Sequence, residues 1–178
     1  MQRENFGSII AFLIPGFIGL WGMSYVVPEV RPWLSLSSDA ASGSGAFQEV
    51  FAATLASLAV GLTISAIRWA LIDTLHHRTG VPKPPRDFRG LIGKLAEFEA
   101  LIENHYRYYQ YYANTLIALP GAYILRQVSR GECPLLPTLG VLAVCGFLYA
   151  GSRDALSKFY RRSEQLFKGA AANAGDQA

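Results

Sequence analysis

The histidines of this chain are its residues best suited to acid–base or metal chemistry, and they occur in two places. His76 and His77 follow Asp73 by three and four residues, so a helix would bring the carboxylate beside either ring. His105 lies apart from them, close to Glu103. A metal site could form only if folding brought His105 next to Asp73 and to His76 or His77. Because no HxxxH or ExxH motif occurs, we interpret the histidines as interface residues in ordinary ion pairs. Sensing of pH is a second interpretation, and no metal site is predicted.

Motifs of hydrolases and nucleotide-binding proteins are absent from the sequence. No GxSxG, HExxH or Walker A pattern occurs. The SGSG run at Ser42–Gly45 lies across the predicted membrane from every histidine, which excludes a serine–histidine pair there. Cys133 and Cys145 would lie about 18 Å apart on one helix, too far for a disulfide. We predict no catalytic residues and no cofactor.

Five tyrosines fall within seven residues: Tyr106, Tyr108, Tyr109, Tyr111 and Tyr112. They cover most of a helix circumference, and aromatic residues are enriched where a helix enters lipid. We interpret the cluster as an interface belt, with Tyr106 and Tyr108 facing lipid. A pocket for a lipid headgroup or another ligand is the second interpretation. The charge around the tyrosines is nearly balanced, so stacking on nucleic-acid bases is disfavoured and no nucleic-acid partner is predicted.

The apolar stretch Phe47–Ile67 is the element that must position these groups. Its 21 residues contain one charge, Glu49. At about 1.5 Å per residue this length matches a bilayer core of about 30 Å. Arg68 and Trp69 then mark the predicted lipid interface. One face carries small residues at four-residue spacing, a pattern that permits close packing of membrane helices. These residues are Ala53, Ser57, Gly61 and Ser65.

Apolar residues fall into four blocks with charged segments between them, which is typical of a multi-pass membrane protein. The chain is 51% hydrophobic and 16% charged, against about 25% charged in an average soluble domain. We predict one all-α domain over residues 1–170, a polytopic membrane protein with four transmembrane helices. Helices 2, 3 and 4 extend into the cytoplasm. The predicted spans are residues 9–27, 47–67, 110–128 and 134–152, the extensions are 68–109 and 153–168, and 169–178 form a disordered tail.

Small and polar residues inside the spans predict how the helices pack. Gly16, Gly19 and Gly22 open a groove on the first span that suits the small face of the second. A leucine at Gly61 should disrupt this packing, whereas an alanine should be tolerated. Asn114 is the strongest polar side chain within a span, and we expect an interhelical hydrogen bond from it. A pore-lining role is the second interpretation.

The distribution of basic residues predicts the orientation. Thirteen of the sixteen Lys and Arg residues fall at Arg3, in 68–107 and in 153–168, all on one side of a four-span topology. The positive-inside rule places that side, with both termini, in the cytoplasm. The predicted location is the plasma membrane, the bacterial inner membrane. A net charge of +3 is too small to indicate nucleic-acid binding.

A heptad-like seam of apolar residues runs over the 26 residues from Leu91 to Leu116, along the cytoplasmic extension and into the third span. An exposed seam of this length would promote aggregation. We therefore expect residues 156–167, another protomer or a partner to cover it. The predicted interaction surface on the seam consists of Phe98, Ile102, His105, Tyr109 and Tyr112.

These features favour a non-enzymatic scaffold or interaction module that acts through its cytoplasmic helices. We expect it to contact membrane lipids, to form a homo-oligomer and to bind a cytoplasmic protein. The alternative is an oligomeric channel or membrane-permeabilising effector, motivated by small polar residues in the spans. A membrane enzyme that acts on lipid is the third and least favoured hypothesis, because the sequence contains no group of residues arranged for catalysis. The polar residues that motivate the channel hypothesis are Thr54, Ser57, Thr63, Ser65 and Asn114.

Overall fold

The computed structural model describes residues 4–34, 43–83 and 94–175, and every regular element in these ranges is helical. The predicted all-α class is confirmed. A 3₁₀ turn, Pro28–Val30, precedes the second helix. In chain order the helices are α1 (Glu4–Met23), α2 (Arg31–Leu34), α3 (Gly43–Arg68), α4 (Thr74–Arg78), α5 (Leu95–Leu101), α6 (Arg107–Arg130) and α7 (Leu135–Gly175).

Two π-helical turns keep neighbouring helices continuous. Trp69–Asp73 joins α3 to α4, and Ile102–Tyr106 joins α5 to α6. A π turn locally widens a helix and often occurs at a functional site. Both turns lie at the cytoplasmic ends of the predicted spans. They mark the level at which the apolar bundle gives way to the extensions.

Helix α1 packs against both α3 and α6. Its contact with α3 is made backbone to backbone at two glycines. A Cβ atom on Gly16 would lie 1.8 Å from the carbonyl oxygen of Ser57, and one on Gly61 would lie 2.1 Å from that of Phe12. No side chain fits at either position without moving a helix, so these glycines set the separation of α1 and α3.

On its other side, α1 runs parallel to α6. The Asn114 amide nitrogen donates a hydrogen bond of 2.9 Å to the carbonyl oxygen of Ala11, and both residues are fully buried. Further along, a Cβ atom on Gly22 would lie 2.4 Å from the Cα atom of Ala122. The two contacts follow the same order along both helices, which fixes the parallel direction.

Helix α7 runs antiparallel to α6. The hydroxyls of Tyr123 and Thr138 lie 2.8 Å apart near one end, and Tyr112 lies against Gly151 further along. The first half of α7 leaves most of its apolar side chains exposed, whereas the half after Gly151 packs against α5 and the π turn that follows it. Because α7 continues to Gly175, most of the segment 169–178 that we predicted to be disordered lies in a helix.

Two continuous helices are long and apolar enough to cross a membrane. They are Phe47–Arg78, with a mean hydropathy of 2.1, and Leu135–Lys168, with 1.7. Ile9–Met23 is a shorter apolar helix, and α6 is too polar to pass the same test. We predicted four membrane spans, and in the described residues only the second and fourth coincide with helices of sufficient length and hydropathy. The first and third predicted spans are not confirmed. The polar composition of α6 comes from its tyrosines and from strongly polar residues, among them Gln110, Asn114, Arg126 and Gln127.

Candidate functional site

Charged and aromatic side chains converge where α3 leaves the apolar core and α6 begins. The Tyr109 hydroxyl donates a hydrogen bond to Oδ1 of Asp73. The Nη1 atom of Arg68 lies 3.8 Å from the same oxygen, and its guanidinium carbon lies 5.1 Å from the Tyr109 ring centroid. Arg68 is only 5% exposed. Its predicted role at the lipid interface is therefore wrong for the side chain, which turns inward to a carboxylate and an aromatic face.

A second buried pair joins α4 to α7. The Nε2 atom of His76 lies 3.0 Å from the hydroxyl oxygen of Ser152, and both side chains are fully buried. The His76 ring also stacks on Tyr149, with centroids 5.1 Å apart. This pairing was not predictable from the sequence, because the two residues are 76 positions apart and Ser152 belongs to no motif.

Hydrogen-bond directions show what this pair can do. The Ser152 hydroxyl donates its one proton to the carbonyl oxygen of Tyr149, at 2.9 Å. In its Nε2–H tautomer His76 is then the donor to Ser152, and in that tautomer the ring does not act as a base toward the serine. A nucleophilic serine needs the opposite arrangement and access for a substrate. The pair is a buried structural contact that fixes α4 on α7.

The other two histidines have different partners. The Nδ1 atom of His77 donates to the carbonyl oxygen of Val81 at 3.1 Å. His105 accepts a hydrogen bond of 2.5 Å from Arg162 of α7. Burial lowers the pKa of His105, and the nearby cations Arg162 and Lys158 lower it further. Within the described ranges no three His, Cys, Asp or Glu side chains are grouped as a metal site requires.

The second half of α7 packs against the described part of the seam at Phe98, whereas Leu95 stays 60% exposed. The Phe98 ring lies 6.3 Å from that of Phe159 and 6.0 Å from that of Phe167, and Tyr106 lies 5.1 Å from Phe159. The start of the seam at Leu91 lies outside the described residues. The chain itself thus provides part of the cover that we expected from residues 156–167.

This packing changes how the predicted interaction surface is understood. Tyr109 is fully buried and lies beneath the surface. Phe98, Ile102, His105 and Tyr112 are half-buried. Three of these four contact α7: Phe98 lies against Phe159, His105 against Arg162 and Tyr112 against Gly151. A partner would therefore have to bind the other faces of the helices.

Comparison with known proteins adds no family to this description. No protein-family model, curated protein or solved structure matches the chain. The arguments below rest on the geometry of its own residues.

The remaining residues that we predicted at the lipid interface or in helix packing differ in how exposed their side chains are. Trp69 is 72% exposed and Tyr108 is 56% exposed, as side chains that face lipid would be, whereas Tyr106 is half-buried. On the small face of α3, Ser65 is half-buried and the other members are buried; Gly19 of α1 lies close to Val60 and Ile64. The buried members are Ala53, Ser57 and Gly61.

Proposed function

We propose that the chain is a multi-pass inner-membrane protein that works as a non-enzymatic scaffold. Its cytoplasmic helices would present one folded unit to a protein partner. The observation that carries this proposal is the aromatic contact of Phe98 with Phe159 and Phe167, which fastens α5 to the second half of α7. Two extensions joined in this way form a rigid surface beside the membrane, and a rigid surface loses less entropy on binding.

The exposed residues of α5 are the part available to a partner. Leu95 is 60% exposed there. Ala96, Glu97, Glu99 and Ala100 around it are also exposed. An exposed apolar side chain on a short helix with acidic and small residues suits a protein interface with a hydrophobic centre and a polar rim.

The four-span topology belongs to this proposal, and two features support it. Helices α1 and α6 have 20 and 24 residues, which gives lengths of about 30 Å and about 36 Å. Two polar side chains of α6 also donate hydrogen bonds within the bundle. Asn114 donates to Ala11, and Thr115 donates to Tyr111 at 2.7 Å. Polar side chains that face a bundle interior are compatible with a membrane span.

Oligomerisation through the first half of α7 is the second part of the proposal. Leu136 is 82% exposed and Phe147 is 80% exposed on this half. A Cβ atom on Gly140 or Gly146 would meet nothing within 4 Å. A helix from a second protomer could approach closely at these glycines, because small residues allow backbones of membrane helices to meet.

The polar residues that motivated a channel support the scaffold better. Thr54 donates to the carbonyl oxygen of Val50 at 2.7 Å, and Thr63 donates to that of Ala59 at 3.0 Å. Asn114 is bonded inside the bundle. The donors of these three residues are thus bonded within their own helices or to a neighbouring helix. The buried His76 pair likewise offers no accessible catalytic group.

Site-specific photo-cross-linking in intact membranes tests the scaffold. A photoreactive residue at Glu97 should give a cross-linked species of one defined mass, and Leu95→Asp should remove it. The matched control places the same probe at Phe17, which is 50% exposed on a predicted span. Identical products from both positions, or ion flux from purified protein in liposomes, would contradict the scaffold and favour the channel.

A further inference from the structure

A cavity of about 640 Å³ lies at the cytoplasmic edge of the bundle. Three parts of the chain border it: Trp69–Asp73 with α4, α5 with the π turn that follows it, and the second half of α7. Its volume falls within the range of about 300–1,000 Å³ that is typical of small-molecule sites. Six aromatic side chains form much of the wall: Trp69, Phe98, Tyr106, Phe159, Tyr160 and Phe167.

Positive charge lies at the mouth of this aromatic cavity. Lys83 lines both the cavity and an adjoining cleft of about 370 Å³, which Arg161 also lines. The acid of that cleft, Glu164, is paired with Lys168 at 2.6 Å. Within the described ranges neither Lys83 nor Arg161 forms an ion pair, so the mouth favours an anion.

The acidic group on the cavity wall does not offset this charge. Asp73 accepts the hydrogen bond from Tyr109 and is paired with Arg68. Ser163 also lines the cavity. It is 2% exposed, and its hydroxyl oxygen has no hydrogen-bond partner in the described structure. A buried hydroxyl without a partner is unfavourable, and a polar atom of a bound molecule would satisfy it.

The cavity also adjoins an apolar surface. Trp69, on its border, is 72% exposed, and Leu71 on the same turn is 59% exposed. Both lie just beyond the apolar stretch of α3, at the predicted headgroup level. A molecule with an apolar chain could therefore pass between the bilayer and the cavity without exposing the chain to water.

We propose that this cavity binds one amphiphile with an acyl chain and an anionic head. The chain lies against the aromatic wall, and the head lies at the mouth beside Lys83 and Arg161. A phospholipid and a free fatty acid share this chemistry. The proposal does not depend on the scaffold function, because it concerns a different face of the cytoplasmic unit.

Binding to the delipidated full-length protein in non-ionic detergent tests this site. The probe is oleate, and native mass spectrometry counts the molecules retained per chain. We expect saturable binding of one oleate. Lys83→Gln should weaken it about tenfold, because one charge-assisted contact is lost. Lys158→Gln should leave it unchanged, since Lys158 is paired with Asp154 and does not line the cavity.

A second variant tests the chain-binding part of the cavity. Thr74 is exposed and lines the cavity, so Thr74→Trp should fill it without removing a buried contact and should abolish retention. Dioleoyl phosphatidylglycerol that competes with oleate identifies a phospholipid site, and no competition identifies a fatty-acid site. The proposal fails if binding is not saturable, if oleyl alcohol binds as tightly as oleate, or if Lys83→Gln and Lys158→Gln behave alike.

Discussion

Asp73 and Tyr109 are 36 residues apart in sequence and are joined by a hydrogen bond from the tyrosine hydroxyl to the carboxylate. This contact ties the last residue of one π turn to the first helical turn after the other. The same carboxylate is paired with the buried guanidinium of Arg68. Three groups that water would otherwise solvate thus compensate one another at the edge of the bundle.

Tyr109→Phe should destabilise the protein, because Asp73 loses its hydrogen-bond donor while remaining beside Arg68. We expect a loss of about 1–3 kcal/mol in the free energy of unfolding, measured by thermal unfolding in detergent. Tyr108→Phe is the matched control, since Tyr108 is 56% exposed. Equal stability of the two variants would show that the buried hydroxyl contributes nothing.

Gly61→Ala should be disruptive, which reverses what the sequence led us to expect. The added Cβ would lie 2.1 Å from the backbone oxygen of Phe12, and backbone cannot rotate away. Overpacking of this kind costs about 1–3 kcal/mol. Gly121→Ala is the control, because nothing lies within 4 Å of its Cβ position. Size-exclusion chromatography and thermal unfolding should separate the two, and a Gly61→Ala protein as stable as wild type would refute the close contact.

Ser152→Ala should leave the Nε2 proton of buried His76 without an acceptor. The expected cost is about 1–3 kcal/mol in stability, again measured by thermal unfolding in detergent. Ser157→Ala on the same helix is the control, since Ser157 is exposed. If Ser152→Ala is no less stable than Ser157→Ala, then His76 has another partner and does not fix α4 on α7.

His105 should make stability depend on pH. Burial and the cations Arg162 and Lys158 lower its pKa from 6.5 in the folded protein, against a smaller opposing effect of Asp154. The folded state therefore binds fewer protons than the unfolded chain once the pH falls below about 6.5, and the stability from this group is lost as the pH falls further. Above that pH the stability is fully present.

The measurement compares wild type with His105→Gln, which keeps an acceptor for Arg162 but does not titrate. Thermal unfolding at about pH 7.5 and about pH 5.5 brackets the transition. Wild type should lose more stability on acidification than the variant does. An equal loss would mean that other groups cause the whole pH dependence.

Reporter fusions at Ser42 and Ala178 decide between four crossings and two. With four, the two positions lie in opposite compartments, whereas crossing by α3 and α7 alone would put them on the same side. Cys133 is exposed, so its labelling with a membrane-impermeant maleimide is an independent measurement of the topology. Reaction from the outside of intact cells is expected for four spans.

The local sequence pattern was sufficient to predict some structural properties of this protein. The long apolar stretches and their small residues predicted an all-helical chain, because the backbone of such segments satisfies its own hydrogen bonds as helix wherever it is buried. The small face of α3 also identified Gly61 as a packing position. What lies opposite Gly61 was not predictable, and that neighbour, a backbone oxygen of Phe12, decides the effect of an alanine.

The pairing of residues distant in sequence was decided only by the tertiary structure. Arg68 at the end of an apolar helix predicted a side chain at the lipid interface, where Asp73, five residues further along the same helix, could pair with it. The ion pair with Asp73 forms along this continuous helix, whereas the Tyr109 ring reaches Arg68 only because α6 packs beside it. His76 and Ser152 meet in the same way. Such contacts depend on how helices are placed side by side, and a one-dimensional pattern records only the face that each helix buries.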